Sequence, residues 1–190
     1  AMSLERADSG LVRLMALLKE TGQWDNTVVM FVSDNGIPFP GAKTTVYDPG
    51  LNLPCIMRVP GQKPGIVSDA MVSWLDITPT LLDFAEAVPE KPMYQGRSLR
   101  SIEGNEHAEG WDEVYGSHTF HEVTMYYPMR MVRTRTHKLI WNIAYPLEFP
   151  FASDLYESKT WQGVLQRGDT QYGPRTVEAL LHRPQFELYD

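Results

Sequence analysis

The chain has almost no cysteine: Cys55 is the only one in 190 residues, which excludes an internal disulfide. No apolar run is long enough to cross a bilayer as a helix. There is no basic run either. Asp and Glu number 24 against 17 Lys and Arg, for a net charge of −7, so the electrostatic footprint needed for nucleic-acid binding is missing. Internal repeats and low-complexity tracts are absent. Nothing at the start reads as a signal peptide, because Ala1 to Gly22 spreads its charges along an amphipathic helical pattern. What the chain does have is a hydrophobic content of 43%, enough for a domain core. Both ends read as cuts in a longer protein: the chain opens inside a helical pattern and closes on Phe186–Asp190, an alternating segment with no turn after it.

The stretch with the most to say runs from Thr27 to Lys43. Val28, Val29, Met30, Phe31 and Val32 are apolar without a break. Such a run is expected of a strand covered on both faces, as in a parallel sheet. Ser33, Asp34, Asn35 and Gly36 follow at once, so a carboxylate and an amide oxygen stand where a buried strand would emerge. Open α/β sheets place ligand crevices there. Pro38 and Pro40 restrict the loop that leads to Lys43. Adjacent Asp and Asn can supply oxygens to a hard divalent cation. Asp-Asn-Gly is also ordinary turn chemistry, and these residues alone leave both readings open.

Before this stretch, Leu4, Ala7, Leu11, Leu14, Met15 and Leu18 fall at helical spacing, with Gly22 placed to end the helix. After it, Leu53–Val59 reads as a second strand stopped by Pro60 and Gly61. Cys55, in its apolar middle, is expected as a small buried hydrophobe. Thr78 and Pro79 read as the N-cap and first residue of a helix. Val88 to Asp112 reads as a surface excursion. The pattern then changes to short strands at Val114–Ser117, Met129–Arg135, Lys138–Asn142 and Phe186–Tyr189. A bend is expected near Thr136 and His137, and helical segments at Ser158–Arg167 and Pro174–His182. Antiparallel strands with helices to one side make an α+β subdomain. His121 and Glu122 stand before Tyr126 and Tyr127, and polar groups beside tyrosine rings suit sugar binding. His118 carries less, and Arg130, Arg133 and Arg135 read as strand residues that pair with acids or solvent.

Several of these motifs occur in an order that resembles the sulfatase family. The line DNTVVMFVSDNGIPFPGAKTTVYDPGLNLPCIMRVPG carries the resemblance, supported by LLKETGQWDNT, SWLDITPTLLDFA and RMVRTRTHKLIWN. HEVTMYYPMR and the closing FELYD resemble the branch that removes N-sulfate from glucosamine in heparan. The resemblance implies an α/β fold. Residues 1–110 would be the C-terminal part of an alkaline-phosphatase-like sandwich, and residues 111–190 an α+β subdomain with an antiparallel sheet. It implies that Asp34 and Asn35 ligate calcium and that Lys43 contacts the sulfate. His121 and Glu122 would lie near a sulfated glycan substrate.

The family's nucleophile is a cysteine or serine in Cys/Ser-x-Pro-x-Arg, oxidised to formylglycine. No such motif occurs in these residues; Cys55 is followed by Ile56, Met57 and Arg58. The resemblance therefore assigns no catalytic residue here and implies the C-terminal portion of a sulfatase, inactive by itself, whose partner would be the missing N-terminal portion. A sheet lacking its other strands would expose an edge through which copies could associate. Neither nucleic acid nor membrane is expected as a partner. The full protein would be periplasmic, secreted or lysosome-like. Two other readings stand beside this one. A phosphodiesterase or phosphomutase of the same superfamily would use histidine where Asn35 stands. A non-catalytic glycan-binding module would need no nucleophile.

Overall fold

The computed structural model describes residues 2–123 and 125–190. Ala1 and Thr124, at the start of the expected helix and inside the HEVTMYYPMR segment, lie outside the described residues. Two compact units form, one from residues 1–32 and 54–67, the other from residues 33–53 and 68–190.

In the first unit α1 spans Met2–Glu20 and Gly22 follows with φ +70°, the left-handed conformation that ends helices at low steric cost. Leu11, Met15 and Leu18 form its half-buried face. A single 3-10 turn at Trp24–Asn26 leads to β1 (Val29–Val32). Its partner is β2 (Cys55–Arg58). The pair is antiparallel, with Val29 opposite Arg58 and Val32 opposite Cys55. This corrects the parallel pairing expected from the unbroken apolar run. Such a run encodes covered faces, not strand direction, and a parallel return needs a long crossover, usually helical. Residues 33–54 contain only the four-residue α2 (Asp48–Leu51). Cys55 is also not the buried hydrophobe expected of it: it lies exposed at the first position of β2, although partial desolvation raises its thiol pKa. Arg58 fastens the unit by lying 3.9 Å from the Trp24 ring centroid and donating to the carbonyls of Trp24 and Thr27.

The second unit is built on a four-stranded antiparallel sheet. Its strands are β3 (Glu113–His121), β4 (Met125–Thr134), β5 (Lys138–Asn142) and, from the chain's end, β8 (Phe186–Tyr189), in the order β3-β4-β5-β8. Alternation along β4 buries Met125, Tyr127, Met129 and Met131 and leaves Tyr126 and Arg130 outside, as the two-residue period of a strand requires. With Ile140, Phe149, Leu155, Val46 and Tyr47 these residues make the core. Pro128 sits inside the central strand, where it cannot donate to a neighbour. A bulge meets this need. His118 faces Met129 and Phe120 faces Tyr126, so Tyr127 and Pro128 together oppose Thr119.

Around the sheet, α3 (Ile77–Phe84) has Asp76 rather than Thr78 at its N-cap position, with no capping bond from the Asp76 side chain. Pro79 is therefore the third helical residue, still in the turn whose N–H groups have no helical acceptor. The Asp76 carboxylate is 5% exposed and accepts from the backbone N–H of Ser73 and of Arg97, both at 2.8 Å. Thr80 donates to the Asp76 carbonyl and accepts from Leu99 N–H at 2.9 Å. The 88–112 excursion is thus tied to α3 at its centre, and it buries Leu99, Ala108 and Trp111. Beyond the sheet come α4 (Ser153–Tyr156), α5 (Lys159–Arg167), the small hairpin β6 (Gln171–Tyr172) and β7 (Arg175–Thr176), and α6 (Val177–Leu181). A chain of close aromatic contacts, Tyr127–Phe149–Phe151–Trp161–Tyr172, with centroids 4.7–5.9 Å apart, joins the sheet core to the α5–α6 cluster.

Candidate functional site

The segment from Ser33 to Tyr47 has little regular structure, so local bonds must set its shape. Ser33 Oγ donates to the Asn35 carbonyl at 3.0 Å, and Asn35 N–H donates to Asp34 Oδ1 at 2.9 Å. Asn35 Nδ2 donates to the Gly36 carbonyl at 2.8 Å. Gly36 is required where it stands, because a Cβ there would lie 2.2 Å from the Pro49 carbonyl oxygen. Lys43 N–H donates to the Ile37 carbonyl at 3.1 Å and closes the loop. Thr44 follows with φ +64°, a conformation strained for a β-branched residue. Asp34 and Asn35 stand exposed at the head of this loop, and Lys43 is half-buried at its end.

Lys43 Nζ lies 2.6 Å from Asp154 Oδ2. The neighbouring Ser153 holds Glu122: its hydroxyl donates to Oε1 at 3.0 Å and its N–H to Oε2 at 3.3 Å. His121 Nε2 is 3.8 Å from Glu122 Oε1. The structure therefore brings three of the sequence-selected residues, Lys43, His121 and Glu122, onto one rim through Ser153 and Asp154. The Lys43 ammonium, first by hydrogen bond and then by charge, holds the Asp154 carboxyl below the ordinary range. Glu122 itself has φ +62°. Of the three non-glycine residues with positive φ among the described residues, Thr44 and Glu122 both fall at this rim. Strain retained at two points of one site is the kind of feature that functional sites keep.

Neither tyrosine of the HEVTMYYPMR segment backs this rim. Tyr127 is fully buried, edge-on to Phe149. Tyr126 lies opposite Phe120, whereas His121 lies opposite Met125 on the other face. His118 points inward. Its Nδ1 is 3.3 Å from the Tyr127 carbonyl, while its buried Nε2 has no partner among the described residues. Burial pulls its pKa down, against the hydrogen bond. Sequence reasoning missed Ser153 and Asp154. A Ser-Asp pair opening a helix is so common that nothing in the sequence ties it to Lys43, 111 positions earlier. A separate pocket of about 290 Å³ opens among Tyr47, Asp48, Arg133, Lys138, Arg175 and Tyr189. It contains none of the rim residues, and within it Asp48 accepts from both Arg133 and Lys138.

Residues 1–87 match the family described as Sulfatase. The chain is 37% identical to human N-sulphoglucosamine sulphohydrolase over 97% of its own length and 39% of that protein's. It belongs to the sulfatase family. It is also 32% identical to the arylsulfatase of Clostridium perfringens, over 73% of this chain and 30% of the relative. Among solved structures, it resembles BT4656 in complex with its substrate D-glucosamine-2-N,6-O-disulfate. There the TM-score is 0.61 and the identity 28%, over 71% of this chain and 29% of that one. The sulfatase chain thus has the alkaline-phosphatase-like fold of its structural neighbours, and it spans about two fifths or less of the length of these relatives.

Sulfatases are generally metal-dependent, and the head of the loop can be tested for a fit. The bonds to Asn35 N–H and from Asn35 Nδ2 leave Asp34 Oδ2 and Asn35 Oδ1 without hydrogen-bond partners among the described residues. Both residues are exposed. Two hard oxygens on adjacent residues suit part of the shell of an oxygen-ligated cation. They do not complete one. Among the described residues no group of three or more His, Cys, Asp or Glu side chains converges.

Proposed function

We propose that this chain carries part of the active-site wall of a calcium-dependent sulfatase that hydrolyses sulfate ester or N-sulfate groups of glycans. Asp34 and Asn35 would give two oxygens to the calcium ion, which supplies Lewis-acid stabilisation of the sulfate when bound. Lys43 places an ammonium against the sulfate's delocalised negative charge. His121 and Glu122 meet the hydroxyl groups of the sugar. The observation that carries this reading is the meeting of Lys43, His121 and Glu122, from segments far apart in the chain, on one solvent-reachable rim. An N-sulfated glucosamine is the favoured substrate, because human N-sulphoglucosamine sulphohydrolase matches nearly the whole chain.

No residue in these 190 positions is proposed as the nucleophile. The chain alone is therefore expected to release no sulfate from N-sulfoglucosamine. It is also expected to bind calcium weakly, since calcium takes about six to eight oxygens and Asp34 and Asn35 offer two side-chain groups. Calorimetric titration with calcium, with a sulfate-release assay alongside, tests both. A tight one-to-one isotherm or measurable turnover would overturn this assignment of roles. The proposal for the rim is tested separately: Lys43→Ala should abolish the binding of N-sulfoglucosamine seen by NMR titration, and unchanged binding would refute it.

A further inference from the structure

The rim has the wrong charge balance for a simple anion site. One ammonium, Lys43, pairs with the Asp154 carboxylate, and a second carboxylate, Glu122, with the His121 imidazole beside it, is tied to Ser153, the residue before Asp154. The ammonium is already engaged by Asp154 at 2.6 Å. A free sulfate ion carries two negative charges and no hydrogen to donate. To reach Lys43 it must displace or approach Asp154 and would gain nothing from Glu122. A sulfate group attached to a sugar brings N–H or O–H donors close to its own charge. A carboxylate is an acceptor only, and bonds to charged acceptors are the strong ones. Asp154 and Glu122 thus offer such a ligand a return that the free ion cannot collect.

We propose that Asp154, supported by Glu122, is a specificity-determining residue that makes the rim favour sulfate carried on a hydrogen-donating sugar and reject inorganic sulfate. This rests on the functional reading above and assigns it a further property, disfavoured retention of the free sulfate product. The local structure supports a fixed role for both carboxylates. Glu122 is pinned by two bonds from Ser153 and held in a strained backbone conformation. Asp154 is the next residue after Ser153, so one short segment sets both groups.

The test compares two probes, inorganic sulfate and N-sulfoglucosamine, on the full chain by NMR titration. Asp154→Asn keeps the size of the side chain and removes its charge. It should tighten inorganic sulfate by about fivefold, the upper range for one exposed charge pair, and weaken the sugar by roughly tenfold, the scale of one lost charged hydrogen bond. Glu122→Gln, read in the same way, should weaken the sugar and leave inorganic sulfate unchanged or tighter. A purely structural role would move both probes in one direction. If Asp154→Asn shifts both affinities together, or neither, while Lys43→Ala still abolishes sugar binding, this inference is wrong and the functional reading stands. If the wild-type chain binds the sugar with no dependence on Lys43, or binds neither probe, both fall.

Discussion

Asp48→Asn should unfold the second unit more easily by about 2 kcal/mol, and the reason lies in how unevenly its partners are buried. The Asp48 carboxylate accepts from Lys138 Nζ at 2.8 Å and from Arg133 Nη1 at 2.8 and 3.0 Å. The Lys138 side chain is only 4% exposed, whereas Asp48 is 42% exposed. Removing one member of a fully buried pair costs about 3–5 kcal/mol, because the other charge is left without compensation; an exposed pair is worth about 0.2–1 kcal/mol. A buried ammonium facing a half-open carboxylate falls between these limits. The double variant Asp48→Asn/Lys138→Met should recover most of the loss, since an apolar side chain of similar length needs no counter-charge. The pH dependence has a definite sign. Burial by itself raises the Asp48 pKa, but Lys138 and Arg133 together outweigh it and hold the carboxyl below the ordinary value. Its contribution is therefore complete above about pH 4, the unfolded range, and is lost as pH falls through the lower folded value. Urea unfolding at neutral and acid pH measures each quantity. A loss under about 0.5 kcal/mol for Asp48→Asn, or a double variant no more stable than the single one, would refute the reasoning.

Gly96→Ala should destabilise the second unit by about 1–3 kcal/mol, as overpacking does. Its Cβ would lie 1.9 Å from the Leu75 carbonyl oxygen and 2.8 Å from Asp76 N, and both are backbone atoms that cannot rotate away. Gly10→Ala, in α1 with nothing within 4 Å, should instead stabilise by about 0.5–1 kcal/mol; thermal unfolding of the two variants checks the contrast. His118 is held below its ordinary pKa chiefly by burial, so the unfolded chain takes up its proton first and stability should fall as pH drops below about 6.5. His118→Phe should flatten that slope between about pH 5 and 6.5, and an unchanged slope in urea midpoints would count against a buried neutral imidazole.

Much of the C-terminal sheet was legible from local pattern. The Lys138–Asn142 strand, the bend near Thr136 and His137, and the closing Phe186–Tyr189 strand appear where expected. The strands expected at Val114–Ser117 and Met129–Arg135 are longer, Glu113–His121 and Met125–Thr134, and the helix expected at Pro174–His182 is the β7 strand followed by the short α6. Alternation is a local signal, and the strand period converts it directly into a buried face. The errors fall where one signal serves two arrangements. An apolar run such as Val28–Val32 is compatible with either strand direction, and the connection decided between them. Thr78-Pro79 has the form of a helix start, but the helix runs on directly from the 3-10 turn Trp74–Asp76, so Asp76 holds the N-cap position while its carboxylate accepts from Ser73 and Arg97 N–H instead of from the helix.

The sequence by itself determined the family through the order of its motifs, the approximate strands of the second unit, and the residue types that could meet a metal or a sulfate. Only the tertiary structure decided which of them meet. It put Lys43, His121 and Glu122 on one rim, recruited Ser153 and Asp154 to it, and sent Tyr127 into the core. The physical reason is that periodicity and capping act over a few residues along the chain. Charge pairing and hydrogen bonding act over a few ångströms of space, and the sequence carries no record of that distance until the chain has folded.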